Sequence, residues 1–321
     1  MILTVTLNTA LGLTHEVPAL VPHTSHRVGH GAERPGGRGV DVARVLAALG
    51  HETVVTGFAG GPTGDRVRAL LAPVPRLTDA FVATEAATRR TLAVVDTRAG
   101  GTTRFDETGA AVTSAEWTAF RERYAELLDG AAAVALCGSL PPGVHVGAYA
   151  ELVRTARAAG VPVLLDTGGE PLRRGIAARP DLVKPDADEL AGLTGSREPR
   201  RATQDARRRG AHAVVTSLGP GGLLAATPDG LWRATHPAPA DPTAAGAPVA
   251  AALLAGLVDD TPWPDRLTQA AALAASSPAP GEYDEKRHAG GRSSRGRRPR
   301  GGARGDGRGG GGDRGVCRGL S

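Results

Sequence analysis

Only two cysteines, Cys137 and Cys317, occur in the 321 residues. That excludes a disulfide framework and a thiolate zinc site, and it suits a reducing compartment. Lysine is nearly missing too, with Lys184 and Lys286 the only examples, so arginine carries almost all of the positive charge. Long apolar runs are absent. The longest, near Ala131–Cys137 and Ala247–Val258, fall well short of the ~20 residues that cross a bilayer. The N-terminus, Met1-Ile-Leu-Thr-Val-Thr-Leu7, has neither the basic n-region nor the long apolar h-region of a secretion signal, and it reads as a strand. These absences predict a cytoplasmic protein with no membrane partner.

The formal net charge of +5 belongs to one end of the chain. Residues 286–321 hold 11 Lys+Arg and 2 Asp+Glu, a balance of +9, which leaves 27 basic and 31 acidic residues in a mildly acidic body. From Lys286 the composition turns abruptly to Gly, Arg, Ser and Pro, with 13 glycines and almost nothing that could enter a core. Such a segment is expected to be disordered. A Gly/Arg stretch can bind RNA through charge and stacking. This one has no Phe, Tyr or Trp for stacking, and it reads in preference as an out-of-frame translation of a GC-rich gene. Nucleic acid is therefore not the expected partner.

Along the body, strands and helices alternate. Met1–Leu7 ends at Asn8, a turn residue at a strand end of the kind where ligands collect in open α/β sheets. Gly36, Gly37 and Gly39 then open a helix that carries Val42, Val45, Leu46 and Leu49 on one face and stops at Gly50. The spacing is neither that of a Walker A loop nor that of a dinucleotide fingerprint. It suits close backbone approach to a sugar or phosphate, with Arg38 and Asp41 facing the ligand. Strand Thr53–Gly57, helix Gly64–Leu71 and short strands at Thr91–Asp96 and Thr102–Phe105 follow. The buried strand Ala131–Leu136 runs into Cys137-Gly-Ser-Leu-Pro-Pro-Gly143, a ligand-facing loop. Helix Ala148–Ala159, strand Val161–Asp166, helix Pro171–Ala178, a strand at Leu182 and strand Ala213–Ser217 continue the pattern. Such alternation predicts a mostly parallel sheet covered on both faces.

The stretch Asp241-Pro-Thr-Ala-Ala-Gly-Ala247 leads into a helical pattern in which Ala250, Leu253, Leu254 and Leu257 recur on one face. A helix N-terminus entered through small residues offers free backbone N–H groups to a phosphate, and Thr243 could add a donor. An ordinary loop entering a core helix explains the same residues when they are taken alone.

Five motifs stand in order: Gly36-Gly-Arg-Gly-Val-Asp-Val-Ala-Arg44, Gly138-Ser-Leu-Pro-Pro-Gly143, Lys184-Pro-Asp-Ala-Asp-Glu-Leu190, Ser217-Leu-Gly-Pro-Gly-Gly222 and Pro242-Thr-Ala-Ala-Gly-Ala247. Their order and spacing resemble the ribokinase/PfkB family of carbohydrate kinases over about residues 1–285, most closely its 1-phosphofructokinase and tagatose-6-phosphate kinase branch. The resemblance implies a ribokinase-like three-layer α/β/α domain with a mostly parallel central sheet. A small β-sheet lid would come from about residues 12–34 and 85–108. It further implies ATP and Mg²⁺ as cosubstrates, and a homodimer formed through the lids. By position, Gly12, Gly37, Arg38, Asp41, Arg89, Arg90 and Ser139 would meet the sugar phosphate. Lys184, Asp186, Glu189, Ser217, Gly219, Gly222 and Thr243 would surround ATP, with Glu189 toward the metal. Ala244, Ala245, Gly246 and Ala247 would form the anion-hole loop.

Several positions depart from the family pattern. Gly12 stands where a carboxylate usually holds sugar hydroxyls, Arg38 replaces Lys, and Asp41 and Asp186 each replace Asn. The extra charge of Asp186 is expected to need Mg²⁺ beside it. The family's Gly-Ala-Gly-Asp is here Ala244-Ala-Gly-Ala247, so the catalytic base is a methyl group. The resemblance thus implies ATP-dependent phosphorylation of fructose 1-phosphate to fructose 1,6-bisphosphate, impaired at position 247. A sugar-phosphate or nucleotide binder with little or no turnover is the alternative, and RNA binding through the tail a distant one.

Overall fold

The computed structural model describes residues 1–235, 245–276 and 318–320. Strand β1 (Ile2–Thr6) is buried at every position, as a strand must be when both faces of its sheet are covered. It is followed by β2 (Ala10–Val17), β3 (Ala32–Gly36), α1 (Arg38–Ala48), β4 (Thr53–Gly60), α2 (Gly61–Leu71), β5 (Leu77–Asp79) and β6 (Val82–Thr84). Next come β7 (Arg89–Asp96), β8 (Gly101–Asp106), α3 (Ser114–Leu128), β9 (Ala133–Cys137), α4 (Ala148–Ala158), β10 (Val163–Asp166) and α5 (Gly169–Ile176). The chain continues through β11 (Leu182–Val183), α6 (Ala187–Thr194), α7 (Pro199–Arg208), β12 (Ala213–Ser217), a 3₁₀ turn at Gly219–Gly221, β13 (Leu223–Thr227) and β14 (Gly230–Ala234). It then forms α8 (Gly246–Val258), α9 (Trp263–Ala275) and β15 (Arg318–Leu320).

The large sheet has the order β15-β14-β13-β12-β11-β10-β9-β1-β4-β5, with β6 also beside β4. Pairing is parallel from β5 to β12 and antiparallel from β12 to β15. One face carries α8, α9 and the Val42, Val45 and Leu46 side of α1. The opposite face packs Phe120 and Tyr124 of α3 and Leu152 and Val153 of α4 against Leu3, Val5 and Leu136. Helix α1 is buried on a second side as well, where Val40, Ala43 and Ala47 meet β4 and α2. These three layers hold the strand ends still.

A second, four-stranded sheet has the order β3-β2-β7-β8, made from the segments expected to form the lid. Its register places Gly12, Thr91, Arg34 and Asp106 on one face, since Gly12 pairs with Arg34 and Thr91, and Thr91 with Asp106. Leu13, Leu92 and Phe105 pair across the three strands on the other face.

Some boundaries differ from the sequence reading for local reasons. The strand expected from Val161 begins at Val163, because Pro162 has no N–H for the ladder and lends only its carbonyl, to the Val134 N–H at 2.9 Å. The helix expected from Pro171 begins two residues earlier at Gly169. Within the segment expected to be disordered, Arg318–Leu320 pairs with Leu231–Arg233 of β14. The change of composition at Lys286, read as the start of an out-of-frame translation, lies outside the described residues.

Candidate functional site

A cleft of about 1400 Å³ opens between the C-terminal ends of β1, β9 and β10 and the inner face of the small sheet. Five arginines line it: Arg34, Arg38, Arg44, Arg89 and Arg104. Glu33, Asp41, Asp106, Glu107 and Glu189 line it as well, so an anion is met by individually placed guanidinium groups and not by a net positive wall. Three of the five, Arg34, Arg44 and Arg104, were not singled out by sequence reasoning. Arg34 and Arg44 are near each other in the chain, on β3 and α1, whereas Arg104 on β8 is brought to them only through strand register.

The floor is built by close backbone packing. Gly37 caps α1 with φ 115°, and a Cβ on it would stand 2.4 Å from Thr6 Cγ2. A Cβ on Gly39 would stand 2.4 Å from the Val5 carbonyl oxygen. Only glycine lets α1 start on top of the β1 end and deliver Arg38 from its first turn. The Arg38 guanidinium donates to Asp166 Oδ1 at 2.9 Å, and Lys184 Nζ lies 3.4 Å from the same oxygen. Asp166 is fully buried and Lys184 nearly so. Asp166 Oδ2 has no hydrogen-bond partner among the described residues. The Asp166 charge holds Arg38 firmly protonated. Burial first, and Asp166 second, push the neighbouring Cys137 thiol well above its ordinary value, so it is no nucleophile. A Cβ on Gly246 would stand 3.8 Å from Lys184 Nζ, which places the ammonium beneath the N-terminus of α8.

Above the floor, the Tyr149 hydroxyl contacts the Cys137 and Gly138 carbonyls at 2.9 and 3.1 Å, and the Thr167 hydroxyl donates to Gly138 at 2.8 Å. The loop carrying Ser139 is thereby fixed. Arg89 Nε donates to the Asn8 carbonyl at 3.2 Å and lines the cleft. Arg90, one residue on, projects from the opposite face of β7 and is exposed. Strand alternation turns the two side chains to opposite faces of β7. Gly12 does not line the cleft: a Cβ there would meet Arg34 Cγ at 3.0 Å. The Arg34 side chain lies instead toward Asp41, Nη1 to Oδ1 at 3.7 Å. Burial raises the Asp41 pKa, with Arg34, Arg44, Arg104 and Arg38 each opposing it.

Past β11 and β12 the remaining residues form a polar rim. Asp186 Oδ1 accepts from the Glu189 N–H at 2.8 Å, and Glu189 Oε2 accepts from the Asp186 N–H at 3.0 Å. This capping box puts the Asp186 charge at the start of α6, where the helix dipole favours it. The cap gives the Asp186 charge a partner within the fold itself. Glu189 also lines the cleft, and its pKa is raised, first by burial. Asp186 bridges Ser217 in parallel pairing, and the Ser217 hydroxyl is buried without a hydrogen-bond partner among the described residues. Gly219 and Gly222 shape the turn that follows, at φ 56° and 81°. A Cβ on Gly222 would stand 2.2 Å from the Ala234 carbonyl oxygen.

Ala245 caps α8, and Gly246 and Ala247 in its first turn line the cleft. Thr243 and Ala244 lie outside the described residues. Asp166 escaped the sequence reading, although its signal matched that of Asn8: a polar residue closing the apolar strand Val163-Leu-Leu and followed by Thr167-Gly-Gly.

Residues 6–277 match the pfkB family carbohydrate kinase family. The chain is 37% identical over 263 residues to a 1-phosphofructokinase of Rhodobacter capsulatus, covering 80% of this chain and 82% of the relative. It superimposes on the tetrameric inhibited form of Escherichia coli phosphofructokinase-2 with TM-score 0.81 at 30% identity, over 86% of this chain and 93% of that one. A possible 1-phosphofructokinase from Thermotoga maritima gives TM-score 0.78 at 26% identity, over 90% and 97%. The architecture is the ribokinase-like one expected from the motifs, and the relatives indicate a sugar-phosphate kinase of the 1-phosphofructokinase type. The chain belongs to the pfkB family of carbohydrate kinases.

Proposed function

We propose that the cleft holds a fructose phosphate against its arginines and ATP across the N-terminus of α8, the arrangement for converting fructose 1-phosphate to fructose 1,6-bisphosphate, and that transfer is slow. In-line phosphoryl transfer depends on positioning and on neutralising charge. Arg38 and Lys184, anchored on one buried carboxylate oxygen, supply fixed positive charge beside the α8 N-terminus, whose N–H groups receive the transferred phosphoryl. Arg89 and Ser139 hold the sugar phosphate. Ser217, Gly219 and Gly222 face the nucleotide. Magnesium is held mostly by phosphates and water and asks the protein for one or two carboxylates. The Glu189 carboxylate, at the cleft wall, fits that demand and would help hold an ion that neutralises phosphate charge.

The observation that carries the reading is Ala247, a methyl group facing the cleft in the first turn of α8. It cannot take the proton of the attacking hydroxyl, and a positioned base contributes ~10²–10⁴-fold. Its acidic neighbours are engaged elsewhere: Asp166 between two cations, Glu189 in the α6 cap and Asp41 beside Arg34. Sugar-phosphate and nucleotide binding with little turnover is the form this takes in practice. The outer face of the lid sheet, with Leu13, Leu92 and the exposed Phe105 in register, supports pairing with a second copy of the chain. Among the described residues no helix is long and apolar enough to cross a membrane, and a cytoplasmic setting goes with this reading.

Restoring the acid tests it. In the double variant Ala244→Gly with Ala247→Asp, ATP-dependent phosphorylation of fructose 1-phosphate should rise ~10²-fold or more, while affinity for the sugar phosphate changes little. A folded double variant that binds MgATP and gains no rate would show that the sugar site itself is lost. Absence of heat and of thermal shift with millimolar MgATP in the parent would remove both the kinase and the binding readings.

A further inference from the structure

We infer that Asn8 is a positioning residue that aims the Ser139 hydroxyl at a bound anion and ties that hydroxyl to the lid. Asn8 sits just past the end of β1, and its Nδ2 lies 3.1 Å from Ser139 Oγ and 3.3 Å from the Thr108 carbonyl oxygen. A backbone carbonyl can only accept, so the amide nitrogen faces Thr108 and the flipped amide is excluded. One Nδ2 hydrogen goes to Thr108 and the other to Ser139. The Ser139 oxygen is then engaged through a lone pair, and its own hydrogen is left to donate into the cleft, where Ser139 is exposed. The Gly138 carbonyl, held by Tyr149 and Thr167, prevents the loop from turning the hydroxyl away.

The same asparagine anchors the lid. Its backbone carbonyl accepts from Arg89 Nε at 3.2 Å, and Arg89 Nη1 donates to the Glu107 carbonyl at 2.8 Å. Gly109 follows at φ 94°, and a Cβ on it would stand 2.7 Å from Asn8 Oδ1, so only glycine brings the lid exit this close. Residues 8, 89, 108 and 139 thus share one side chain and its own carbonyl. An anion that draws Ser139 forward also loads the lid exit.

The inference rests on the reading that Ser139 meets the sugar phosphate, and its test separates the two. Titration calorimetry with fructose 1-phosphate would compare the parent, Asn8→Ala, Asn8→Asp, Ser139→Ala and the double variant Asn8→Ala with Ser139→Ala, with MgATP titrated into each as control. Aspartate at position 8 accepts only, so it would take the Ser139 hydrogen for itself. Asn8→Asp should weaken fructose 1-phosphate by about 10- to 100-fold, the scale of one charge-assisted hydrogen bond reversed, and Asn8→Ala by a few-fold. MgATP affinity should stay within about two-fold of the parent. In the Ser139→Ala background, Asn8→Ala should cost almost nothing further. Amide exchange at Gly109–Val112 should quicken in Asn8→Ala. Additive losses in the cycle, or Asn8→Asp binding like the parent, would overturn the positioning role while leaving the binding reading intact. A parent that binds MgATP but not fructose 1-phosphate would overturn both.

Discussion

Replacing Asp166 by Asn keeps the shape of the side chain and removes the one charge that Arg38 and Lys184 share. Lys184 Nζ stands 3.4 Å from Asp166 Oδ1, and charges at that separation attract by roughly 5 kcal/mol at an effective dielectric constant of about 20. Much of this offsets the desolvation of two groups that are 0% and 2% exposed. What remains decisive is asymmetry: breaking one side of a buried pair costs about 3–5 kcal/mol, because the other charge is left without a partner. Arg38 is 41% exposed and can turn to water, so most of the loss falls on Lys184. For a body of this size the midpoint of thermal unfolding should drop by about 10 °C. Asp166→Asn combined with Lys184→Met removes the orphaned ammonium and should recover most of the stability. Urea denaturation of the parent, both single variants and the double gives the coupling energy directly. A loss below about 1 kcal/mol in Asp166→Asn, or strict additivity with Lys184→Met, would show that the buried carboxylate does not organise this floor.

Burial raises the Asp41 pKa above its ordinary 3.8, so above that value the folded state binds more protons than the unfolded one. Stability contributed here falls as pH rises through the shifted value, and Asp41→Asn should gain thermal stability relative to the parent as pH increases over that window; a constant difference across pH refutes this. Tyr149→Phe leaves the Cys137 and Gly138 carbonyls without their buried hydroxyl and should cost about 1–2 kcal/mol in denaturant, with weaker fructose 1-phosphate binding alongside. Truncation after Asp284 removes β15 from the β14 edge; with three residues paired, melting should fall by no more than a few degrees, while the bared edge raises concentration-dependent self-association seen by light scattering.

Much of the fold was legible because it is written in local periodicity. Continuous apolar runs such as Ala133–Cys137, short and bounded by glycine, read as strands covered on both sides, and Val42, Val45 and Leu46 at helical spacing read as one core-facing side of a helix. The glycines of the α1 entry predict a close backbone approach to a sugar or phosphate, and the close approach the structure shows at Gly37 and Gly39 is to the end of β1. Register is where local reading stopped. Nothing near Arg104 in the chain says that it shares a sheet face with Arg89; that follows from Arg104 pairing with Ala93, which alternation puts on the Arg89 face of β7. Asp166 was hidden differently. Its partners, Arg38 and Lys184, lie on other elements, and a lone carboxylate at a strand end does not reveal which cations will reach it.

The departures from the family pattern separate once the side chains are placed. Gly12 leaves room that Arg34 covers, and Arg34 then finds Asp41, the carboxylate gained on α1, at 3.7 Å. Arg34 thus touches both positions, Gly12 on β2 and Asp41 on α1. Asp186 is likewise absorbed, as the cap of α6 in exchange with Glu189. Ala247 has no such counterpart. It sits at a helix N-terminus, where an aspartate would be stabilised by the free N–H groups, so stability cannot account for the methyl group there. The site keeps five arginines and a pair of cations anchored on Asp166 beside the start of α8, groups that can each meet an anion. What the proposed mechanism lacks is concentrated in Ala244 and Ala247, and that is why the double change at the α8 entry should recover turnover.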